Sequence, residues 1–545
     1  MIVKMQHLDL LCVASDKSKT LERLRELGVV HLDLSSAAGV EVSSAKGAAA
    51  DAERAVRAIL KARGKSKAER LVHTPVSDVL ALQSAMEAKA ATVEELDRVI
   101  AEYEPYGDFD PELAQKLLDE GIDLKSVAEL PEVLPPKRLS ALKRDRSDVI
   151  LSMAEDEARL SECDEKAILD SYPDLADRIA FAAARELMTQ EGSVAYISGW
   201  VPAPKVEALR AEVNASGWGA LIRDPAAGEV PPTLVEPPRI FQPMKALFDG
   251  LGIAPAYTEA DVSVPFMCYF SLFFAMLVGD GAYGLIFLIG TLAARKVLPR
   301  SWFVLLTTFS ASTVVWGILS NTWFGANIPW CANWPTVKWL ADPSYHNMML
   351  LCFTIGVSHL MLARIWNGVC RLPDSTAIAE FGWAGVLLFM YLVTNSIVGI
   401  FSAIPTWAFY VFGASLVAVF GFSVKPSELK TRGAELGMLP LNIMSALGDI
   451  ISYVRLFAVG LASVKVAENF NAMATGLVAG ADAVWLKAVM SVAMVAILVV
   501  GHGLNLAMAA LSILVHAVRL NTLEFSNHKG VSWAGYAFRP FKRQA

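Results

Sequence analysis

The chain has 545 residues, 54% of them hydrophobic, and a formal net charge of -7, with a mean hydropathy of +0.42. That length argues against a single globular core, and the modest negative charge argues against a nucleic-acid binder. Lys, Arg, Asp and Glu crowd residues 1–240 and thin out afterwards, so a water-exposed half is expected to precede a membrane half.

Residues 2–13 alternate apolar and polar side chains and read as a strand, Lys17 to Leu27 as a helix, and Val29 to Leu34 as a second strand, with Gly28 suited to the helix C-terminus. The N-terminus lacks a long apolar run and a small-residue cleavage site, so no signal peptide is expected to be removed. From Ala45 to Tyr103 the composition turns to Ala, Glu, Lys, Arg and Leu, which favours long helices or a coiled coil. Turns at Pro105, Pro111 and Pro131 to Pro136 interrupt the pattern, and Leu139 to Leu169 resumes it, so an antiparallel helical hairpin with a small distal lobe is expected. Ser193 to Trp200 reads as a strand, Pro204 to Val213 as a helix and Trp218 to Ile222 as a strand. The hairpin thus leaves and re-enters one α/β lobe.

Eight apolar spans follow the proline-rich residues 225–243, each weighed against the ~20 residues a bilayer needs. They fall near 263–279, 281–296, 301–323, 346–366, 380–402, 405–423, 437–475 and 484–520. Cationic residues mark one side (Arg295, Lys296, Arg300; Arg364, Arg371; Lys425, Lys430, Arg432; Lys529, Arg539, Lys542, Arg543), against Lys338 on the other. Both termini are therefore expected to be cytoplasmic. At ~1.5 Å per residue the seventh span would reach ~57 Å, against ~30 Å of hydrocarbon, so it must tilt or project. The expected fold class is α+β. A cytoplasmic unit at 1–240 combines an α/β lobe (1–40 and 190–225) with a hairpin (41–189). A linker at 241–262 leads to an all-α polytopic membrane domain at 263–545, of about eight helices including two long tilted ones.

Arg455 lies within the seventh span, where a guanidinium costs between ~2.5 and ~17 kcal/mol at the bilayer centre. It could snorkel to an interface or meet an acid. Asp449 and Glu468 lie roughly 120° and 140° around the same helix, which disfavours an intrahelical pair and leaves an acid elsewhere. Steps of three and four residues place Gly448, Ser452, Val459, Ala462, Val466 and Asn469 on its face, all small or weakly polar. From Arg519 the same steps collect Asn505, Met508, Ser512 and His516, a polar stripe on an apolar helix. His502 and His516 could relay protons or be satisfied intramembrane histidines. Asp280 is expected to cap a turn at the outer surface.

Gly279-Asp-Gly-Ala-Tyr-Gly284 matches G-x-G-x-x-G literally, but it joins two membrane spans and follows no Rossmann strand. Gly64-Lys-Ser66 resembles a P-loop end, yet Ile59 stands where its first glycine is required. No ATP hydrolysis by this chain is expected, and no catalytic grouping, cofactor or metal site is indicated. The six cysteines form no C-x-x-C pair and are expected to be buried free thiols.

At Ser452-Tyr-Val-Arg-Leu-Phe-Ala-Val-Gly-Leu-Ala462 and Ala467-Glu-Asn-Phe-Asn471 the chain resembles the membrane subunit, called a or I, of rotary V/A-type ATPases. His502-Gly-Leu-Asn505 and Val515-His-Ala-Val-Arg-Leu-Asn-Thr-Leu-Glu-Phe525 resemble that family's last membrane helix. Phe274 to Gly284 is similar to its F-G-D-x-G-Y-G turn, with Val278 replacing phenylalanine. Gly28-Val-Val-His-Leu32 and Gly199-Trp-Val-Pro202 resemble its N-terminal signatures, so the resemblance covers nearly the whole chain.

The resemblance implies a stator subunit that forms two ion half-channels against a rotating ring of c/K proteolipids, each carrying a buried carboxylate. Arg455 would face that carboxylate and Arg519 would assist. Glu468, Asn469, His502, Asn505, Ser512, His516 and Glu524 are the implied half-channel or supporting residues. The family's eukaryotic members carry an extra acid near Ala509, so the cytoplasmic half-channel here would differ. Implied partners are the ring, the peripheral-stalk E/G subunits on the hairpin, the central-stalk C/d subunit and the lipid bilayer, with no nucleic acid. A prokaryotic plasma membrane is the implied location, with either proton or sodium as coupling ion. A secondary transporter with a regulatory domain is a rival reading, although no internal repeat or paired broken helices stand out. A non-transporting coiled-coil scaffold is another.

Overall fold

The computed structural model describes residues 1–64, 71–120, 131, 133–326, 329, 334–340, 342–425, 429–479 and 484–543. It divides into two units: Met5–Ala226 joined by the chain from Arg539 onward, and Met1–Lys4 joined by Ala227–Phe538. The backbone therefore passes between the units three times.

The first unit is built on an antiparallel sheet of order β2-β3-β1-β4, from β1 (Met5–Val13), β2 (Thr189–Glu191), β3 (Val194–Pro202) and β4 (Gly219–Arg223). Leu8 and Leu10 of β1 and Ala195 and Ile197 of β3 alternate into its core, beneath α1 (Lys17–Leu27) and α8 (Val206–Ser216). Gly28 ends α1 with φ +59°, its N–H on the Leu24 carbonyl. The strand expected at Val29 to Leu34 does not form. His31 makes one two-bond bridge to Trp200, while Val29, Val30 and Leu32 spend their apolar side chains on the core. Residues 539–543 run beside this segment: Phe541 is buried in the same core and its N–H reaches the Val30 carbonyl.

The helical portion comprises α2 (Val40–Arg63), α3 (Val76–Tyr103), α4 (Pro111–Asp119), α5 (Leu139–Glu162), α6 (Glu165–Asp170) and α7 (Tyr172–Leu187). Alanines 52, 55, 58 and 62 of α2 form its seam with Val79 and Leu160. Residues 121–130, in the expected distal lobe, lie outside the described residues.

The second unit carries α9 (Pro243–Leu251), α10 (Ser263–Val278), α11 (Gly281–Ala293), α12 (Arg300–Ser320), α13 (Pro335–Leu340), α14 (His346–Arg371), α15 (Thr376–Ile397) and α16 (Thr406–Phe422). Then come α17 (Leu429–Ile451), α18 (Val454–Ala479), α19 (Val484–Ser512) and α20 (Ser526–Lys529). Between α19 and α20 the helix passes through two π segments, Ile513–Ala517 and Leu520–Phe525. The centre is α10, apolar on all sides, with Phe266, Phe270 and Phe273 buried against Phe353, Tyr453 and Phe525. Gly317 of α12 lets α11 approach closely, since a Cβ there would collide with the Gly281 backbone.

Among the described residues, five helical stretches are long and apolar enough to cross a membrane, or six if one bent pair counts as a span. The first two expected spans are that pair. The chain bends by 120° between Ser263–Val278 and Gly281–Lys296, because Gly279 (φ +70°) ends one helix and Asp280 starts the next. The span expected at 405–423 is a helix of 17 residues. Leu436–Ala479 forms an apolar stretch of 44 residues and Trp485–Lys529 one of 45, of which only 33% and 17% of the most apolar windows are covered, against 61% for α15. The two long stretches thus keep much of their apolar surface uncovered within this chain. Cys12, Cys163 and Cys352 are buried free thiols, whereas Cys268 and Cys370 are exposed on outward faces of α10 and α14; Cys331 lies outside the described residues.

Candidate functional site

The helix that carries Arg455 is interrupted immediately before it. Ser452 and Tyr453 separate α17 from α18, and the Arg455 N–H falls back on the Ser452 carbonyl at 3.3 Å, an i to i-3 bond. Tyr453 pins the break: its ring is fully buried, its hydroxyl lies 2.9 Å from His359 Nδ1, and Gly356 leaves the space it fills. Arg455 Nε donates to the Ser452 carbonyl at 2.9 Å, which turns its guanidinium toward the last helix.

Glu524 waits there. Its Oε1 lies 2.6 Å from Arg455 Nη2 and 3.6 Å from Arg519 Nε. The exposures differ: 20% for the Arg455 side chain, 7% for Glu524 and 57% for Arg519. Arg519 and Glu524 are five residues apart, a spacing that an α-helix turns roughly 140° away. The π segment Leu520–Phe525 winds by i to i+5 and brings them to one side. The acid that meets Arg455 is therefore in its own chain, on another helix. Asp449 and Glu468 are engaged elsewhere, with His528 at 3.0 Å and Lys465 at 2.7 Å.

Beyond Arg455 along α18, a chain of polar groups links three helices. Asn505 Nδ2 donates to the Tyr283 hydroxyl (3.1 Å) and to the Ser463 carbonyl (2.9 Å). Because its oxygen accepts that hydrogen bond, the Tyr283 hydroxyl donates its own hydrogen to His502 Nδ1 (2.7 Å), which leaves His502 Nε2–H for Asn471 Oδ1 (3.1 Å). Asn471 Nδ2 donates onward to the Phe324 carbonyl. Asp280 is fully buried: it caps α11 through Ala282 N–H at 2.8 Å and holds Gly325 N–H at 2.9 Å, so it is an interior cap and not a surface one. Beside this chain a cavity of about 210 Å³ is lined by Gly279, Gly325, Tyr345, Gly460, Lys465 and Glu468.

On the N-terminal side of Arg455 lies a second polar cavity of about 540 Å³, between α14, α15, α17 and α20, with Asp449, Arg364, Arg371 and His528 in its lining. Glu380 receives Arg364 (3.1 Å) and Arg371 (2.9 Å). Arg364 Nε donates to His528 Nδ1 at 3.0 Å, which fixes the tautomer: His528 Nε2–H donates to Asp449 Oδ2 at 3.0 Å. Asn367 holds the His528 carbonyl and accepts from Lys529, whose ammonium lies 4.4 Å from the Trp366 ring centre.

Of the residues singled out from sequence, Arg455, Arg519 and Glu524 come together, and so do His502 and Asn505. Asn469 is exposed and Glu468 faces the smaller cavity. His516 sits in the first π segment, its Nδ1 buried without a partner among the described residues. Ser512 is half-buried just before it. Ser463, Asn471, Tyr283 and the group Glu380, Arg364, Asp449 and His528 were not singled out as site residues. Each is polar within or beside an apolar helix, and that signal alone could have found them.

No family model matches the chain. It is 34% identical over 381 residues to a V-type ATP synthase subunit I of Borreliella burgdorferi, covering 66% of this chain and 62% of that protein. It is 26% identical to a V-type ATP synthase subunit I 1 of Treponema pallidum across the full length of both. An A-type ATP synthase subunit I of Methanocaldococcus jannaschii is 24% identical over 460 residues, 74% of this chain and 62% of that protein. The chain thus spans less than two thirds of the first and third relatives.

Proposed function

The chain belongs with subunit I of the V-type and A-type ATP synthases, and from that premise we propose that it is the stator against which a rotor ring exchanges ions. Arg455 carries the reading: a fixed cation at a helix break, on a face where Gly448, Ala462 and Asn469 are exposed. A ring carboxylate arriving at ~4 Å would be attracted by ~4 kcal/mol at an effective dielectric of ~20, equivalent to about three pKa units. That is enough to strip its ion and to stop the ion from crossing between two aqueous routes.

The two polar networks are the proposed routes. The cavity at Asp449, His528, Arg364 and Glu380 would open to the cytoplasm, on the side marked by Lys425 and Lys529. The chain Asn505, Tyr283, His502 and Asn471 would open to the opposite side. Asp449 precedes Arg455 by six residues and Ser463 follows it by eight, so the routes approach the arginine from opposite ends, as an offset pair of half-channels requires. The five apolar stretches, supplemented by the two helices of the bent pair and by α16, would give the eight membrane helices. The bundle of α2, α3, α5 and α7 would be the stator arm for E/G stalks, with the C/d subunit at the central stalk and a prokaryotic plasma membrane as the location. A potential of ~100 mV asks ~2.3 kcal/mol for each charge moved, so the arm must resist torque.

The test is Arg455→Ala in the assembled complex. Assembly should persist while ATP-driven ion uptake is lost; uptake at the unmodified rate would overturn the proposal. Omitting sodium from the same assay distinguishes proton from sodium coupling.

A further inference from the structure

The pairing of Glu524 is one-sided. Oε1 faces both Arg455 and Arg519, while Oε2 is buried and has no hydrogen-bond partner among the described residues. A carboxylate held for stability alone is best gripped through both oxygens by one fork-shaped guanidinium. Here one oxygen lies between two cations, one of them close and enclosed, the other farther and more than half exposed. Such a carboxylate can lose one partner without being stranded, because the other has room to close from 3.6 Å.

We propose that Glu524 is a positioning residue that exchanges counter-ions: it holds Arg455 while no ring carboxylate is present and passes to Arg519 when one arrives. The inference rests on the proposed stator function for its second half only; the resting pair is a property of this chain. Arg455 is thereby never left as a lone cation in an apolar helix, and the arriving carboxylate meets a cation already partly satisfied. Its hold on the rotor is weakened to a level from which it can leave. Arg519 has a distinct task, which is to keep Glu524 paired during the interval. The π segment Leu520–Phe525 is what makes this possible, since a regular α-helix would point Arg519 and Glu524 apart.

Two measurements test the two halves. In the detergent-solubilised full chain, thermal unfolding of Glu524→Gln, Arg455→Gln and the double variant forms a cycle. The exchange predicts that the double variant unfolds at a higher temperature than the sum of the single losses allows, and that Glu524→Asp recovers part of the loss. Strict additivity would overturn the resting pair. In the assembled complex, Glu524→Gln should tighten the grip on the ring, so that ATP hydrolysis and ion uptake fall together, by about 5–150-fold on the usual scale of coupling between sites. Arg519→Gln should slow both as well, and Arg519→Gln with Glu524→Gln should be no slower than Arg519→Gln alone. Hydrolysis persisting in Glu524→Gln while uptake is lost would mean a structural defect and would overturn the exchange. Uptake surviving Arg455→Ala would instead defeat the stator function itself, leaving the unfolding cycle to decide the resting pair.

Discussion

Gly460→Ala isolates the contact that sets the position of α18. A Cβ at Gly460 would lie 2.5 Å from the Met276 carbonyl oxygen, and that oxygen belongs to the backbone of the buried central helix. An ordinary contact needs roughly 3.4 Å, so the helices must separate by several tenths of an ångström. Overpacking of this kind costs about 1–3 kcal/mol, partly masked because alanine gains about 1 kcal/mol over glycine in a helix. Gly448→Ala supplies the matched control, since no atom lies within 4 Å of its Cβ position. Thermal unfolding of the solubilised chain should place Gly460→Ala below Gly448→Ala by about 1–3 kcal/mol. Arg455 is five residues from Gly460, and a displacement near 1 Å at a reacting group can cost about a hundredfold in rate. Ion uptake by the complex should therefore fall further than stability does. Equal unfolding temperatures for the two variants would refute the close Gly460–Met276 contact as what sets the position of α18.

Three further outcomes are expected. Tyr283→Phe removes the hydroxyl shared by Asn505 and His502 and should lower stability by about 1–3 kcal/mol, with slower ion uptake, measured by unfolding and by uptake in vesicles. Asp449→Ala should cost a similar ~1–3 kcal/mol by orphaning His528 Nε2–H, whereas Asp449→Asn, which keeps an acceptor, should restore stability but not uptake. Burial holds the His31 imidazole below its ordinary pKa, against a smaller opposing effect of its hydrogen bond to the Arg539 backbone. The unfolded chain then binds a proton first, so the first unit is fully stable above about pH 6.5 and loses stability as pH falls below it. Unfolding followed between pH 8 and 5 should show that slope, and His31→Gln should flatten it.

Signals confined to a few neighbouring residues were readable directly. Gly28 behind a periodic run ends α1 where it should, and the charge-rich helices, the strands around 194–223 and the costly Arg455 all follow from local pattern. Elements whose outcome depended on a distant partner were not. Val29 to Leu34 has strand chemistry, but its side chains fill a core completed by Phe541, more than 500 residues away. Asp280 looked like a surface cap because nothing nearby in sequence announces Gly325 as its second donor. The partnership of Arg455 with Glu524 was hidden twice over. It joins two helices, and a wheel of 3.6 residues per turn misplaces everything beyond Ile513, where two π segments alter the winding. A regular stripe from Arg519 collects Met508 and Ser512, which make no part of the ion pair.

The three passages of the backbone between the units have a mechanical meaning. Only the segment near residue 226 joins the two bodies by bonds alone; residues 1–4 and 539–543 are the two ends of one linear chain, each fastened into the unit it reaches by backbone hydrogen bonds and packing. A peptide bond hydrolysed near residue 226 would therefore give two covalently separate pieces, with only those packed ends to hold them together.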